Sequence, residues 1–283
     1  MLKNTFCHIP GIGLVTEKRL WDAGLRSWDD LSKLDNGRLP LSKSRAYGLK
    51  RYIDQSNSHL QAGDPRYFAE LLPSDQTWRI FSDFRGSTAY VDIETTGTDG
   101  SNDHITTIAL YDGTSVFWYV QGRNLEDFPA QVQKYELLVT FNGKCFDLPF
   151  IRSHLGIPMS QAHIDLRYVL KSLGYRGGLK KCEKQLGIDR EDLDGVDGFF
   201  AVLLWDEYKR KGSAKALETL LAYNIQDVVS LETLMVQAFN LKLRETPFHE
   251  RLTLDPPTSP AVPFKADLPT IDRIKTRLVP RWL

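Results

Sequence analysis

Cysteine is scarce in this chain of 283 residues: only Cys7, Cys145 and Cys182 occur, far apart and odd in number. Such a set indicates neither a disulfide framework nor the Cys-x-x-Cys spacing of a zinc site. The chain also lacks an excess of either charge, because its 36 basic residues balance its 36 acidic residues. Zero net charge argues against a protein that coats nucleic acid generally, but it permits local basic patches.

Long apolar runs are absent as well. The first residues, Met1 to Asn4, lead into no apolar segment of a signal peptide, and no later run is long enough to cross a bilayer. We therefore expect a cytoplasmic protein with no membrane partner. The length suffices for one large domain, or for a medium domain with a smaller one attached.

The hydrophobic pattern changes along the chain and predicts four parts. Residues 1–60 are expected to form a small helical module, and residues 61–84 a helical linker in which Ser74 caps a helix. Residues 85–243 form the main domain. Residues 244–283 contain seven of the fourteen prolines and are expected to be an extended tail.

Within the main domain, the pattern predicts strands and then helices. Strands are expected at 88–94, 104–111, 115–120, 137–141 and near 163–165. Helices are expected at 125–135, 147–155, 167–174, 178–186, 197–211 and 214–242. Three successive strands, followed by strands that alternate with helices, predict an α/β fold with a mixed sheet flanked by helices.

Two acids stand at the end of the first strand. Side chains alternate along a strand, so Asp92 and Glu94 share one face while Val91 and Ile93 pack on the other. The turn at Thr95-Thr96-Gly97 places both acids at the carboxyl end of the strand, where α/β sheets keep their sites. The alternative is an edge strand with one solvated face.

Two further pairs follow. Asn142 comes directly after an apolar strand, and Asp147 begins the next helix, where it could also be a simple cap. Tyr223 and Asp227 are four residues apart and therefore lie on one face of a helix, which an amphipathic helix alone would also explain. Four carboxylates from three segments can meet only if cations cancel their repulsion, which predicts a site for divalent metal ions.

These three segments carry a family resemblance. Val91-Asp92-Ile93-Glu94-Thr95-Thr96-Gly97, Asn142-x-x-x-Phe146-Asp147 and Tyr223-x-x-x-Asp227 resemble the three motifs of the DnaQ-like, or DEDD, 3′–5′ exonucleases. Because Ala222 stands where the histidine subtype has its histidine, the third motif resembles the tyrosine subtype. The layout is most similar to the YprB-like bacterial proteins. Thr98 departs from the pattern, since relatives often have a leucine there that packs on the terminal base.

The resemblance implies a ribonuclease-H-like fold and a role for each residue of the motifs. Two Mg²⁺ or Mn²⁺ ions are expected on Asp92, Glu94, Asp147 and Asp227. Tyr223 is expected to orient the attacking water, because a phenol is a poor base at neutral pH. Asn142 is expected either to contact the substrate or to shape the turn before Gly143. The expected nucleic-acid contacts in the first motif are Thr95, Thr96 and Gly97.

A basic stretch lies between the second and third motifs. Residues 167–184 contain six basic residues and one acid, Glu183. Among the basic residues, Arg176, Lys180 and Lys181 flank Gly177-Gly178 at a helix start and are expected to contact phosphates. A solvated helix face explains the same pattern equally well. Asp165, just before this stretch, is interpreted as a helix cap, with a fifth acid of the site as the alternative.

The N-terminal segment Ile9-Pro10-Gly11-Ile12-Gly13 resembles a helix-hairpin-helix motif. In such a motif, Gly11 and Gly13 would let backbone N–H groups approach a DNA phosphate without reading sequence. The alternative is a packing module that only buries apolar side chains, among them Trp21, Leu25 and Trp28.

Taken together, the sequence predicts a metal-dependent 3′–5′ exonuclease that hydrolyses DNA from a free 3′ end by a two-metal mechanism. The polarity comes from the resemblance alone. Two alternatives stay open: an exoribonuclease that acts on RNA, and a non-catalytic nucleic-acid-binding protein with the same fold.

Overall fold

The computed structural model describes residues 1–33, 43–98, 103–189 and 197–278. Its centre is a five-stranded sheet in the order β3-β2-β1-β4-β5. The strands are β1 (Thr88–Thr95), β2 (Ile105–Tyr111), β3 (Val116–Val120), β4 (Leu137–Thr140) and β5 (Ala162–Asp165). β1 pairs with β2 in antiparallel register and with β4 in parallel register. The predicted mixed α/β sheet is thus confirmed, and the carboxyl ends of β1, β4 and β5 meet at one edge.

The described chain also contains α-helices on both sides of the sheet strands in sequence. They are α1 (Leu14–Asp22), α2 (Lys43–Gln61), α3 (Arg66–Leu71), α4 (Phe81–Phe84), α5 (Phe128–Val132), α6 (Asp147–Leu155), α7 (Leu166–Ser172), α8 (Leu179–Gln185), α9 (Gly198–Lys211), α10 (Ala214–Leu243), α11 (His249–Leu252) and α12 (Leu268–Leu278). None of the described helices is both long enough and apolar enough to span a bilayer.

The two faces of the sheet pack against different helices. Val91 and Ile93 of β1 join the apolar cluster that contains residues of α5 and α6. Tyr90 points the other way and joins the cluster that contains the middle of α10. Asp92 and Glu94 share the face of Tyr90, so the strand alternation places both acids on the side where α10 crosses the sheet.

The helix α10 is the longest element, with 30 residues and a length of about 45 Å at 1.5 Å per residue. It begins sharply because Gly212 ends α9 with a φ of 64°, a left-handed conformation that suits glycine. The Ser213 side chain then caps α10 by accepting a hydrogen bond from the Ala216 N–H. This start sets the rotation of the helix, and with it the face that carries Tyr223 and Asp227.

The N-terminal module is packed into the body of the protein. Trp21 and Trp28 are buried in the same apolar cluster as Trp78 and Phe239, so the core continues from residues 1–30 to α10. The two indole N–H groups of the module are satisfied: Trp21 donates to the Asn4 carbonyl at 2.9 Å, and Trp28 donates to the Thr5 carbonyl at 2.8 Å. The predicted division into four parts stays a prediction.

A buried ion pair joins the module to the linker. Arg79 Nη1 lies 2.9 Å from Glu17 Oε1, and both side chains are almost fully buried. The same Glu17 oxygen accepts hydrogen bonds from the N–H groups of Phe6 and Cys7. The Arg79 guanidinium also donates to Gln76 Oε1. These bonds compensate for the cost of removing two charges from water.

Two expectations about helices are wrong. Ser74 is no helix cap: Gln76 precedes the 3₁₀ turn Thr77–Ile80, and Ser74 instead offers its carbonyl to the Thr77 hydroxyl. The C-terminal segment is not extended throughout, because α11 and α12 form within it. Most of the prolines that suggested an extended chain precede α12, whose apolar residues recur at helical spacing and bury Ile271 and Ile274.

Replacing Arg79 with methionine is expected to destabilise the protein by about 3–5 kcal/mol, because it leaves the Glu17 carboxylate buried without its cation. Urea unfolding followed by circular dichroism measures the change. Lys18→Met is the matched control: its ion pair with Asp22 spans 2.9 Å, and both side chains are exposed. The control is expected to cost about 1 kcal/mol or less. Equal losses in the two variants would contradict the importance of the buried pair.

Candidate active site

Three of the predicted acids converge where β1 meets α10. Asp92, Glu94 and Asp227 each offer a carboxylate oxygen, and these oxygens lie within 4.8 Å of one another. Glu94 and Asp227 are buried, and Asp92 is partly buried. The strand supplies two acids and the helix supplies the third, so the cluster exists only because α10 packs across the end of β1.

Asp147 lies beside this cluster but is held by the backbone. It is the first residue of α6, and its Oδ1 accepts a hydrogen bond from the Ile93 N–H at 3.2 Å. It lines the same cavity as the other three acids. The structure therefore brings all four predicted acids into one cavity, with three of them in direct proximity.

Asn224 positions Asp92 from the neighbouring helix. Its Nδ2 donates to Asp92 Oδ2 at 2.7 Å and to the Asp92 carbonyl at 3.2 Å. Its own Oδ1 accepts a hydrogen bond from the Thr107 hydroxyl of β2 at 3.0 Å, which locks the amide orientation. Sequence reasoning missed this residue, although its place three residues before Asp227 puts it on the same helical face.

The acids raise one another's proton affinity. Burial, followed by the charges of Asp227, Asp147 and Glu94, raises the pKa of Asp92 well above its ordinary value, against a lowering by Asn224. Burial also raises the pKa of Asp147 to about 7, against the hydrogen bonds from its own N–H and that of Ile93. A set of hard oxygen ligands with this excess of negative charge fits Mg²⁺ or Mn²⁺.

The Tyr223 side chain is buried in the same cavity. Lys180 Nζ lies 4.3 Å from the centroid of the Tyr223 ring, a cation–π distance. Lys180, expected from the sequence to contact phosphate, thus packs on the tyrosine instead of extending into solvent. Arg176 and Lys181, which the sequence also predicts to contact phosphate, are exposed.

The turn after β1 lines the same cavity. Thr95 donates from its hydroxyl to the Gly97 carbonyl at 2.6 Å, and Thr96 donates to Asp103 at 3.1 Å. A Cβ at Gly97 would lie 2.6 Å from the Asp103 carboxylate, so a larger residue here would displace that side chain. Thr98 is exposed at the cavity rim.

Asn142 adopts a left-handed backbone conformation with a φ of 69°. Asp165 holds this turn: its carboxylate accepts hydrogen bonds from the N–H groups of Asn142, Lys144 and Arg167. Asp165 is thus the cap of α7, as expected, and also the support of the turn. The Arg167 guanidinium donates to Asn142 Oδ1, which fixes the amide at the mouth of the site.

The acids and Tyr223 line a cavity of about 530 Å³, and apolar side chains, the turn after β1 and Asn142 form the rest of its wall. Phe199, near the start of α9, lines it with 63% of its surface exposed. Sequence reasoning missed Phe199, because an aromatic residue near a helix start carries no signal of its own. An exposed ring beside four acids is a surface on which a nucleobase can stack.

The N-terminal hairpin lies outside this lining. Gly11 and Gly13 are exposed, and Gly11 has a φ of 81°. The hairpin closes through a hydrogen bond from the Ile12 N–H to the Ile9 carbonyl at 2.9 Å, and Gly13 caps α1. Trp21, Leu25 and Trp28 are buried, as the packing interpretation expected. The two interpretations are therefore compatible: the tryptophan side packs while the glycine side faces solvent.

Comparisons with known proteins give one family. The model of the RNase_H superfamily matches residues 89–239, which is more than half of the chain and includes all three motifs. No curated protein matches the chain.

Solved structures also resemble the fold. One is the family B DNA polymerase from the archaeon Pyrobaculum calidifontis, with 18% sequence identity and a TM-score of 0.42; the match covers 59% of this chain and 27% of the polymerase. Another is the Nibbler EXO domain from Aedes aegypti, with 17% identity and a TM-score of 0.39; it covers 60% of this chain and 85% of the domain.

In metal-free buffer, Asp147→Asn is expected to gain stability relative to the wild type as the pH rises. The folded-state pKa of about 7 exceeds the ordinary 3.8, so the neutral carboxyl stabilises the wild type fully below about pH 4. That contribution is lost as the pH rises to about 7. The free energy of unfolding of the wild type falls in this range by no more than about 1.4 kcal/mol per pH unit. Urea unfolding of both proteins in EDTA between pH 5 and pH 7.5 measures the difference.

Asp112→Asn is the control for this experiment. Burial raises the pKa of Asp112, but the hydrogen bonds from Ser115, Thr114 and Tyr135 outweigh it and lower the pKa overall. The difference between this variant and the wild type is therefore expected to be constant over the same pH range. Saturating Mg²⁺ is expected to abolish the pH-dependent gain of Asp147→Asn. A gain that does not change with pH would contradict the electrostatic account.

Proposed function

We propose, from the premise that the chain belongs to the RNase_H superfamily, that it is a metal-dependent 3′–5′ exonuclease of the tyrosine subtype that hydrolyses DNA. The observation that carries the proposal is the meeting of Asp92, Glu94 and Asp227 oxygens within 4.8 Å, with Asp147 and Tyr223 in the same cavity. Family membership supports nuclease activity in general. The motif layout supports the subtype and the likeness to YprB-like proteins.

The four acids would hold two Mg²⁺ or Mn²⁺ ions, which supply an activated water and stabilise the charge on the leaving oxygen. The chain's own residues prepare this site. Asn224 holds the Asp92 carboxylate in place, and the Ile93 N–H does the same for Asp147. Tyr223 would orient the attacking water through its phenol oxygen, because a phenol is a poor base at neutral pH.

Substrate contacts surround the acids in this proposal. Thr95, Thr96 and Gly97 line the cavity at the position of the terminal nucleotide, and the ring of Phe199 offers a stacking surface for its base. Arg176 and Lys181 contribute exposed positive charge nearby. The exposed hairpin at Gly11 and Gly13 favours DNA, because its backbone N–H groups can approach a phosphate without reading sequence.

Degradation of end-labelled substrates tests the function. Single-stranded DNA, duplex DNA and RNA are incubated with the full chain, with and without Mn²⁺, and the products are resolved by length. Loss of nucleotides from the 3′ end of DNA supports the proposal. Preferential loss from RNA would replace it with an exoribonuclease, and binding without hydrolysis would indicate a non-catalytic nucleic-acid-binding protein.

Asp92→Asn and Asp227→Asn are each expected to lower the rate constant about a hundredfold or more, because each removes one charge from the metal site. Single-turnover rates at saturating Mn²⁺ measure the loss. Glu218→Gln is the matched control, an acid on the same helix that pairs with Lys215 at 2.8 Å on the surface. A wild-type rate in either aspartate variant would refute the metal assignment.

Tyr223→Phe is expected to lower the rate constant roughly tenfold to a hundredfold while Mn²⁺ affinity stays the same. The phenylalanine ring keeps the buried packing and the contact with Lys180, so only the hydroxyl is removed. Calorimetry with Mn²⁺ and single-turnover rates separate the two effects. Weaker Mn²⁺ binding with an unchanged rate at saturating metal would show that Tyr223 serves the ions instead of the water.

A further inference from the structure

A second cavity adjoins the acidic one and carries the opposite charge. It has a volume of about 690 Å³ and is lined by three basic residues, Arg167, Lys171 and Arg176. Among the described residues that line it, none is acidic. Phe141, Asn142 and Leu179 belong to the walls of both cavities, so the two are continuous across Asn142.

We propose that this basic cavity binds the phosphodiester backbone of the nucleotides that precede the reacting terminal nucleotide on a single strand. The proposal rests on the proposed function, since it takes the acidic cavity as the place of hydrolysis. It adds a substrate requirement: the strand must have enough unpaired nucleotides to reach from the acids past Asn142 into the basic cavity.

The charge distribution supports this path. A phosphodiester chain carries one negative charge per nucleotide. The acidic cavity repels this charge unless cations are bound there. Arg167, Lys171 and Arg176 attract it directly. All three basic side chains are exposed and can therefore meet a ligand from solvent. Phosphate contacts of this kind position a strand without reading its sequence.

The wall between the cavities is rigid. Asn142 is held in its left-handed conformation by the hydrogen bond from its N–H to Asp165 at 2.8 Å. Its side chain accepts from Arg167, which lines the basic cavity. A strand that crosses this wall therefore meets the Asn142 amide and the Arg167 guanidinium, which are hydrogen-bonded to each other. Such preorganisation keeps the cost of ordering the site low.

Two tyrosines give the basic cavity a surface for bases as well. Tyr168 and Tyr175 line it, and both are partly exposed. Stacking of a base on an aromatic ring contributes without sequence preference, because every base has a π face. A base can reach these rings only after it leaves its pairing partner, and a duplex end is therefore a poor occupant.

Binding of short oligonucleotides tests the proposal. The full chain with Asp227→Asn, in Mg²⁺, is titrated with 5′-fluorescein oligothymidylates of two, four and eight nucleotides, and anisotropy is measured. The affinity is expected to rise by about tenfold or more from the dinucleotide to the tetranucleotide, as added stacking and phosphate contacts require. When the same four nucleotides are base-paired within a duplex, they are expected to bind no better than the dinucleotide.

A triple variant tests the basic cavity: it carries Lys171→Gln and Arg176→Gln in addition to Asp227→Asn. This variant is expected to lose the rise in affinity from the dinucleotide to the tetranucleotide. It is also expected to make the slope of log affinity against log salt shallower by about 1.4, at about 0.7 per lost contact with a single strand. The matched control is Lys209→Gln with Arg210→Gln at the end of α9, a pair of basic residues that does not line the cavity. The control is expected to keep both the rise and the slope.

An unchanged rise and slope in the Lys171 and Arg176 variant would overturn the proposal, and so would equal losses in the control. The outcome is independent of catalysis, because the binding assay contains no turnover. If the wild-type chain hydrolyses none of the substrates but shows the length-dependent binding, the proposed function fails while the subsite stands.

Discussion

The repulsion between carboxylates at the edge of the sheet is the constraint on which the rest of the structure depends. Asp92, Glu94 and Asp227 are held within 4.8 Å although burial and the charges of the neighbouring acids raise the pKa of Asp92 well above its ordinary value. Packing elsewhere must supply the energy that keeps them together. The apolar face of α10, buried along nearly its whole length against the sheet and its neighbours, contributes to that energy.

Hydrogen bonds from neighbouring elements hold two acids of this site and the turn beside them. Asn224 joins Asp92 to Thr107 on the next strand, and the Ile93 N–H holds Asp147. Asp165 supports the Asn142 turn through three backbone N–H groups. Because these partners lie on helices and strands instead of long loops, they fix the positions of Asp92 and Asp147, which limits the reorganisation that cation binding requires.

Much of the architecture was predictable because local pattern and tertiary packing agree. The apolar alternation in β1 and the i, i+4 spacing in α10 each reflect the face that the core covers, so strand and helix bounds differ from expectation by one or two residues at most places. The pattern failed for the C-terminal segment. Most of the prolines there lie before α12 and therefore do not prevent that helix from forming. Ile271 and Ile274 are buried against α9 and α10, a contact between distant segments that no local sequence pattern indicates.

The sequence by itself determined which residues could form the site: the acids at the end of β1 and at the start of α6, their partner on α10, and the fold that brings strand ends to one edge. Only the tertiary structure decided which side chains contact one another in the site. It placed Lys180 on the Tyr223 ring instead of in solvent and brought Asn224 to Asp92. It also joined a basic cavity to the acidic one across Asn142. The physical reason is that spacing along the chain specifies the face of an element, whereas neighbours across space depend on how distant segments pack.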